Sequence, residues 1–498
     1  MKYYLILDAG TTNVKAYAFS EEGEVLLEKS MRTRPVYPEP GWAELDPQEL
    51  IETVRRLIND VVSSLGTPVG IGLTNQRSST VVWDDEGPLY NMITWQDTRT
   101  ESIVEEFSRK FLVRFGKALG QVFYRLYRTA SGIANLPKGA YIITLAHVGF
   151  GTTHSSMHLR WLMDNVPEVR RAIERGTARF GTMDSWIAWN LTGKHVTDYT
   201  NASATGLFDP FYLKWSDNIT GIVGIPKEIL PALQPNDSPV GETEYGAPLL
   251  TIVADQQAAL YRAGVKAGSA KMTHGTGTFV DLNVGEKPKP ASPGLYPMVA
   301  LKTREKTLYL LEGIINASGS AVDWLLSVGL IKDYSEISDA FKDPTLPRVL
   351  FIPAFAGLST PYLRPDFRGA LLNLSFSVGK EDIIKALVAG IAMRVVEVVK
   401  AMESGARVEI GSLLSDGGAS RIHPLLQLIA DFSGKRILLP KELNGSAQGT
   451  FMIARAVAEG RDVLSAWEKP VVERVFEPSG ERHEDFRRLW EEFMGRLL

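Results

Sequence analysis

Residues 3–19, YYLILDAGTTNVKAYAF, read as an apolar strand, a tight turn over Asp8-Ala-Gly-Thr-Thr12, and a second strand of alternating character. Successive amides in a glycine-containing turn make a concave anion site. A carboxylate beside it, here Asp8, is the kind of ligand that shares a magnesium ion with phosphates. One such hairpin alone is only a turn. A second follows at 253–279, VADQQAALYRAGVKAGSAKMTHGTGTF, where Asp255 opens a helix ahead of the turn His274-Gly-Thr-Gly-Thr278. A third glycine turn, Ser415-Asp-Gly-Gly-Ala-Ser420, stands between an apolar strand and a helical pattern. Phosphoryl transfer asks a protein for little covalent chemistry: one group to orient an attacking hydroxyl, and donors to hold the phosphate. Asp255 is the candidate for the first, although at a helix start it also reads as a simple N-cap. The amides and hydroxyls around Gly275 and Thr276 are candidates for the second. Two phosphate cradles, a carboxylate and a late glycine pair imply a nucleotide held between two lobes.

Composition sets the frame. A chain of 498 residues, 44% hydrophobic, is long enough for several cores at about 150 residues per domain. Its net charge of −4 gives no global reason to expect nucleic acid or a membrane surface as partner. The absence of cysteine excludes disulfides, thiolate zinc sites and cysteine nucleophiles, and fits a reducing interior. The apolar run 2–7 is too short for a signal-peptide core and ends in Asp8, and no stretch approaches the ~18 apolar residues of a membrane span. The expectation is a cytoplasmic protein without a membrane span.

Asp46-Pro47 supplies a cap and a first-turn proline for a helix whose buried face is Leu50, Ile51, Val54, Leu57, Ile58, Val61 and Val62. A strand at 69–73 runs into Thr74-Asn-Gln-Arg-Ser78. The glycine and proline stretch 241–248 reads as a linker, dividing the chain into lobes 1–246 and 247–498, each with its own phosphate turn. From 107 to 163 there is no acidic residue but eight Lys or Arg, interleaved with Phe111, Phe115, Phe123, Tyr124 and Tyr127. Such a segment suits nucleic acid, an acidic lipid surface, a phosphorylated substrate or a subunit interface. The preferred reading is an extra helix and a strand at 141–145, packed on the first lobe or against another subunit.

TNQRSSTVVWD (74–84) followed by ITWQDTRT (93–100) resembles the substrate-domain signature of glycerol kinases in the FGGY carbohydrate kinase family. FGTMDSWIAWNLTG, ADQQAALY, HGTGTF, LEGIINASGSAVDWL, PAFAGLSTPYLRPDFRGALLNL and SDGGAS then follow in the family's order, so the resemblance spans nearly the whole chain. It implies an α/β fold of two lobes of the actin, Hsp70 and hexokinase type (ribonuclease H-like) around a central cleft. It also implies an ATP- and Mg2+-dependent kinase acting on a primary hydroxyl of a small polyol or sugar, and a homo-oligomer, a dimer, with no nucleic acid partner.

The resemblance assigns Asp255 as catalytic base and Gln256 as substrate ligand. An aspartate near its ordinary pKa of ~3.9 is a poor base for an alcohol, so it orients the hydroxyl until charge develops. Gly10, Thr11, Thr12 and Lys15 match the first phosphate loop, with Asp8 on the metal. Gly275 and Thr276 match the second loop, and Gly417 and Gly418 the adenosine site. Arg77, Trp95, Asp255, Gln256 and Phe279 match the polyol pocket. Two positions depart: the glutamate expected after the arginine is Ser78, and an expected tyrosine aligns with Thr153. Losing a charged acceptor costs about 1.5–3 kcal/mol, roughly ten- to a hundredfold in affinity, which puts glycerol itself in question. A ketose kinase such as a xylulokinase, or a kinase for another polyol, is the alternative within the class. A non-enzymatic actin- or Hsp70-like nucleotide switch is the remote one. Ser420 reads as a helix cap, and His154 and His158, four apart, as solvated or stacked rather than metal-bound.

Overall fold

The computed structural model describes residues 2–135, 138–481 and 483–497. A six-stranded sheet forms the first lobe, in the order Gly241–Glu242, Pro248–Ala254, Gly70–Asn75, Tyr3–Ala9, Asn13–Ser20, Val25–Arg32. Tyr3–Ala9 pairs antiparallel with Asn13–Ser20 and parallel with Gly70–Asn75, which pairs parallel with Pro248–Ala254. The seven-stranded sheet of the second lobe repeats this plan. Ala270–His274 is antiparallel to Thr278–Gly285 and parallel to Ser412–Asp416, which is parallel to Arg436–Pro440. The turns after Ala9 and after His274 therefore hold equivalent places, each at the end of its sheet's first strand.

Strand periodicity explains why Tyr3–Ala9 reads as an unbroken apolar run. Tyr3, Leu5 and Leu7 pack into a core with Leu50, Ile51, Val54, Leu57, Ile58 and Val61 of the helix Pro47–Leu65. Tyr4 and Ile6 point the other way, into a core shared with Phe451 and Ala454. The Pro47 helix begins where Asp46 accepts from the amides of Gln48 and Glu49 and stops at Gly66, whose φ of 82° suits glycine. In the second lobe the long helix Lys380–Ala406 crosses the main core.

The division expected at 246/247 is corrected. It falls inside a hairpin in which Gly241–Glu242 is antiparallel to Pro248–Ala254, closed by the Thr243 amide on the Ala247 carbonyl (3.1 Å) with Gly246 at φ 69°. The apolar run after the turn completes the first sheet, so the chain leaves that lobe only after Ala254. Two helices then lie between the lobes, Asp255–Ala263 and Gly445–Ala458. A Cβ on Gly449 would stand 1.9 Å from the Ala258 carbonyl oxygen, so glycine permits the close crossing.

The basic segment folds as helices Glu101–Arg109, Phe111–Thr129 and Gly139–Thr144, joined by the 3-10 turn Ser131–Asn135. The strand expected at 141–145 is thus a correction. The β-branched run packs as a helix turn against the helix Phe111–Thr129, where a Cβ on Gly120 would stand 2.4 Å from the Ala146 nitrogen. The segment also touches the second lobe. The Tyr127 hydroxyl donates to the Gly405 carbonyl (3.2 Å), and the Ala291 amide donates to the Thr144 hydroxyl (3.0 Å).

Candidate functional site

At the first turn the Gly10 amide donates to the Asn13 carbonyl (2.9 Å), leaving Thr12 exposed and Thr11 half-buried. The Thr11 hydroxyl donates to Gln76 Oε1 (2.6 Å) and accepts from the Trp95 indole (3.1 Å), so the tryptophan is tied directly to this loop. Asp8 accepts from the Ser446 hydroxyl at 2.8 Å, a contact between the lobes. Burial pushes the Asp8 carboxyl up to about 6; the Asp255 charge adds to that push, while the Ser446 hydrogen bond and the Lys15 charge oppose it. Lys15 is paired with Asp8 across the hairpin, but its ammonium lies 3.2 Å from both the Tyr17 hydroxyl and Glu28.

The second turn is held from behind. The Gly275 amide donates to the Gly277 carbonyl (2.9 Å), and a Cβ on Gly277 would stand 2.4 Å from the Ile315 oxygen. The Gly319 amide donates to the Gly275 carbonyl, and the amide and hydroxyl of Ser320 donate to the Thr276 carbonyl (3.0, 3.1 and 3.0 Å). Gly275 and Thr276 remain exposed. Gly417, at φ 85°, packs on the His274 carbonyl, where a Cβ would come within 2.5 Å, whereas Gly418 has open space. The glycine pair therefore sits beside the second loop. Ser420 is a correction: its hydroxyl donates to the Asp416 carbonyl (2.6 Å), while the helix His423–Ser433 is preceded by Ile422. Burial pushes the His274 imidazole down to about 3, and its Nδ1 is hydrogen-bonded to Thr278 (2.8 Å).

Asp255 is the first residue of its helix and Ala254 is the cap, which corrects the simple capping reading. Its carboxylate accepts from the Gln256 amide at 2.7 Å. Arg77 brings Nε to 3.8 Å from Asp255 and Nη2 to 2.7 Å from Glu312. The Arg77 guanidinium carbon is 5.9 Å from the centre of the Phe279 ring. Behind these residues a charged row crosses the sheet: Lys271 faces Asp281, and Asp281 faces Glu312. Lys271 Nζ is 2.8 Å from Asp281 and 2.9 Å from the Thr273 hydroxyl, and it donates to Gln256 Oε1. Burial raises the Glu312 carboxyl and Arg77 lowers it; burial prevails.

Ser78 adopts a left-handed conformation (φ 66°) and its hydroxyl donates to the Ala204 carbonyl at 2.9 Å. Thr153 is exposed. The solvated reading of the histidines is corrected. His158 is fully buried with Nδ1 3.3 Å from the Thr80 hydroxyl, His154 Nδ1 accepts from the Gly151 amide (3.2 Å), and burial pushes both down to about 4. Among the described residues no three metal-ligating side chains cluster. That is compatible with magnesium, which keeps most of its waters and takes one or two carboxylates plus phosphate oxygens. The donors fit: Asp8 is a hard oxygen ligand whose ionisation is resisted by burial and by Asp255, both of which a cation would offset.

Sequence reasoning missed Glu312, Asp281, Lys271 and Ser446. Lys271 and Asp281 were findable, because the two opposite charges are equally spaced about the glycine turn, and a hairpin places such residues opposite each other. Ser446 carried no signal; only the folded interface brings it to Asp8.

Residues 3–134 and 124–253 match the N-terminal domain of the FGGY family of carbohydrate kinases, and residues 270–458 match its C-terminal domain. An uncharacterized sugar kinase of Archaeoglobus fulgidus is 36% identical, the match covering 97% of each chain. Glycerol kinase 2 of Thermotoga maritima is 35% identical over 100% of this chain and 99% of its own. The crystal structure of Plasmodium falciparum glycerol kinase with ADP superposes with a TM-score of 0.89 at 30% identity, covering 100% of this chain and 98% of that one. Among the described residues no helix is long and apolar enough to cross a membrane.

Proposed function

The chain belongs to the FGGY family of carbohydrate kinases, and from that premise we propose that it transfers the γ-phosphoryl group of ATP to a primary hydroxyl of a small polyol. The observation that carries this reading is the meeting of the lobes at Arg77: its guanidinium, from the first lobe, stands 3.8 Å from the Asp255 carboxylate and 5.9 Å from the Phe279 ring of the second. Asp255 orients the substrate hydroxyl and accepts its proton as the new oxygen–phosphorus bond forms and the bond from phosphorus to the departing ADP breaks; its place at a helix start, where the dipole favours the anion, keeps it ionised until then. Arg77 supplies donors to substrate oxygens, and Trp95 and Phe279 flank the carbon chain. The two glycine turns hold the phosphates; Gly417 lets its turn pack on the His274 carbonyl, and the open space at Gly418 takes adenosine. Asp8 would hold magnesium, whose charge offsets that developing on the phosphate oxygens.

Ser78 favours a second reading of the substrate. Its short side chain, engaged with the Ala204 carbonyl, leaves a small polyol without the carboxylate acceptor that glycerol kinases are expected to offer there. Under this reading the substrate is a longer polyol or a ketose, which does not depend on an acceptor at that position. The test is ADP release measured over glycerol, other polyols and ketoses, with Asp255→Asn as control. Activity on none of them, or undiminished activity in the control, would overturn the proposal.

A further inference from the structure

The helix Phe111–Thr129 is fixed to the body by one face only. Gly120 packs against the Ala146 backbone, and Tyr127 is buried with its hydroxyl on the Gly405 carbonyl. The opposite face is apolar and bare: Phe111, Leu112, Phe115, Leu119, Val122 and Leu126 are 77, 64, 58, 37, 55 and 47% exposed. At 100° per residue these side chains sweep roughly a third of the helix circumference, wider than the a/d seam of a coiled coil. Along one border of that stripe run Arg114, Arg125 and Arg128, all exposed and none in an ion pair among the described residues. In the preceding helix Glu105 pairs with Arg109 (2.9 Å) and Glu106 with Lys110 (4.0 Å), and Glu101 stands at the end of that helix away from Phe111.

We propose that this helix lies in the surface of an anionic lipid bilayer, its apolar stripe among the acyl chains and its arginines at the headgroups. An in-plane amphipathic helix with a cationic border is the arrangement that such surfaces bind. A second copy of the chain is the poorer occupant. It would bring the same arginine border alongside, and no carboxylate between 107 and 163 exists to pair with it. Anchoring on one face by Gly120 and Tyr127 leaves the stripe facing outward without unfolding. This association is peripheral and independent of the kinase reading, since none of these side chains belongs to the cleft.

The test is co-sedimentation of the full-length protein with vesicles of phosphatidylcholine alone and of an equimolar mixture with phosphatidylglycerol. Wild type is expected to bind the anionic vesicles at least tenfold more strongly, and to be released by added salt. Arg114→Gln/Arg125→Gln/Arg128→Gln should lose most of that preference, on the order of fivefold for each cation removed. Phe115→Glu/Val122→Glu should abolish binding to both vesicle types. Thermal melting and phosphotransfer in solution should be unchanged in both variants, which separates lost docking from lost folding. Failure of wild type to bind anionic vesicles at low salt, or binding indifferent to both variants, overturns the proposal. So does a dimer in sedimentation velocity that Phe115→Glu/Val122→Glu dissociates, which would assign the face to a second copy.

Discussion

Arg77 of the first lobe ends 2.7 Å from Glu312 of the second, with both side chains nearly buried. The pair holds an arginine of the cleft in a fixed direction, at 3.8 Å from Asp255 rather than in contact with it. An unanchored Arg77 would close on Asp255, the carboxylate proposed to receive the substrate hydroxyl.

Glu312→Gln should therefore impair both binding and turnover. The amide retains the shape but leaves a buried guanidinium underpaired, a change worth about 3 kcal/mol or somewhat less where Asp255 compensates. Steady-state kinetics should give a kcat/KM lower by roughly a hundredfold, with KM raised and kcat also reduced. A rise in KM alone would limit Glu312 to substrate binding.

Asp255→Asn should lower kcat by a factor of roughly 100 to 10,000 and leave nucleotide affinity nearly unchanged, because the amide cannot accept the proton. Calorimetric titration with nucleotide beside a turnover assay checks both halves. Near-normal kcat would remove Asp255 from the mechanism.

Asp8 gives a pH dependence of definite sign. Its carboxyl is raised to about 6 in the folded chain, against ~3.9 when unfolded. Between these values the folded state holds the extra proton, so its contribution to the stability of the ligand-free protein is full below about 4 and is lost as pH rises through 6. Magnesium-nucleotide binding wants the ionised form and should strengthen over the same interval. Asp8→Asn should flatten both trends, which melting curves and nucleotide KM at pH 5 and pH 7 would reveal. A wild-type nucleotide KM that is level across this range would count against a metal role for Asp8.

Much of this was legible from local pattern, and the rest depended on contacts between distant segments. The Asp8 and His274 turns were visible because a hairpin's strands and turn are contiguous, and the Pro47 helix because its cap and period lie within its own residues. The lobe boundary was misplaced because a glycine-proline stretch looks the same as linker or as hairpin turn; only pairing with Gly70–Asn75, far away in sequence, decides. The 141–145 run has the composition of a strand, and its helical state follows from what it packs against. The Glu312 anchor for Arg77 lay beyond reading for the same reason: the two residues meet only when the lobes do.

The two helices between the lobes cross where Gly449 packs on Ala258. Gly449→Ala would place a methyl 1.9 Å from the Ala258 carbonyl oxygen, within backbone that cannot yield by a rotamer change. The Asp255 helix and the Gly445 helix must then separate, and the same shift moves Asp255 relative to Arg77 and Ser446 relative to Asp8. The expected result is a loss of stability of about 1–3 kcal/mol, typical of overpacking, together with a drop in kcat larger than the change in nucleotide KM. Alanine at Gly434, where the added atom meets nothing but φ is 68°, is the control, since it carries backbone strain without a clash between helices. Chemical denaturation and turnover of both variants separate the effects. If the two lose activity equally, the helix crossing does not set the geometry of the cleft.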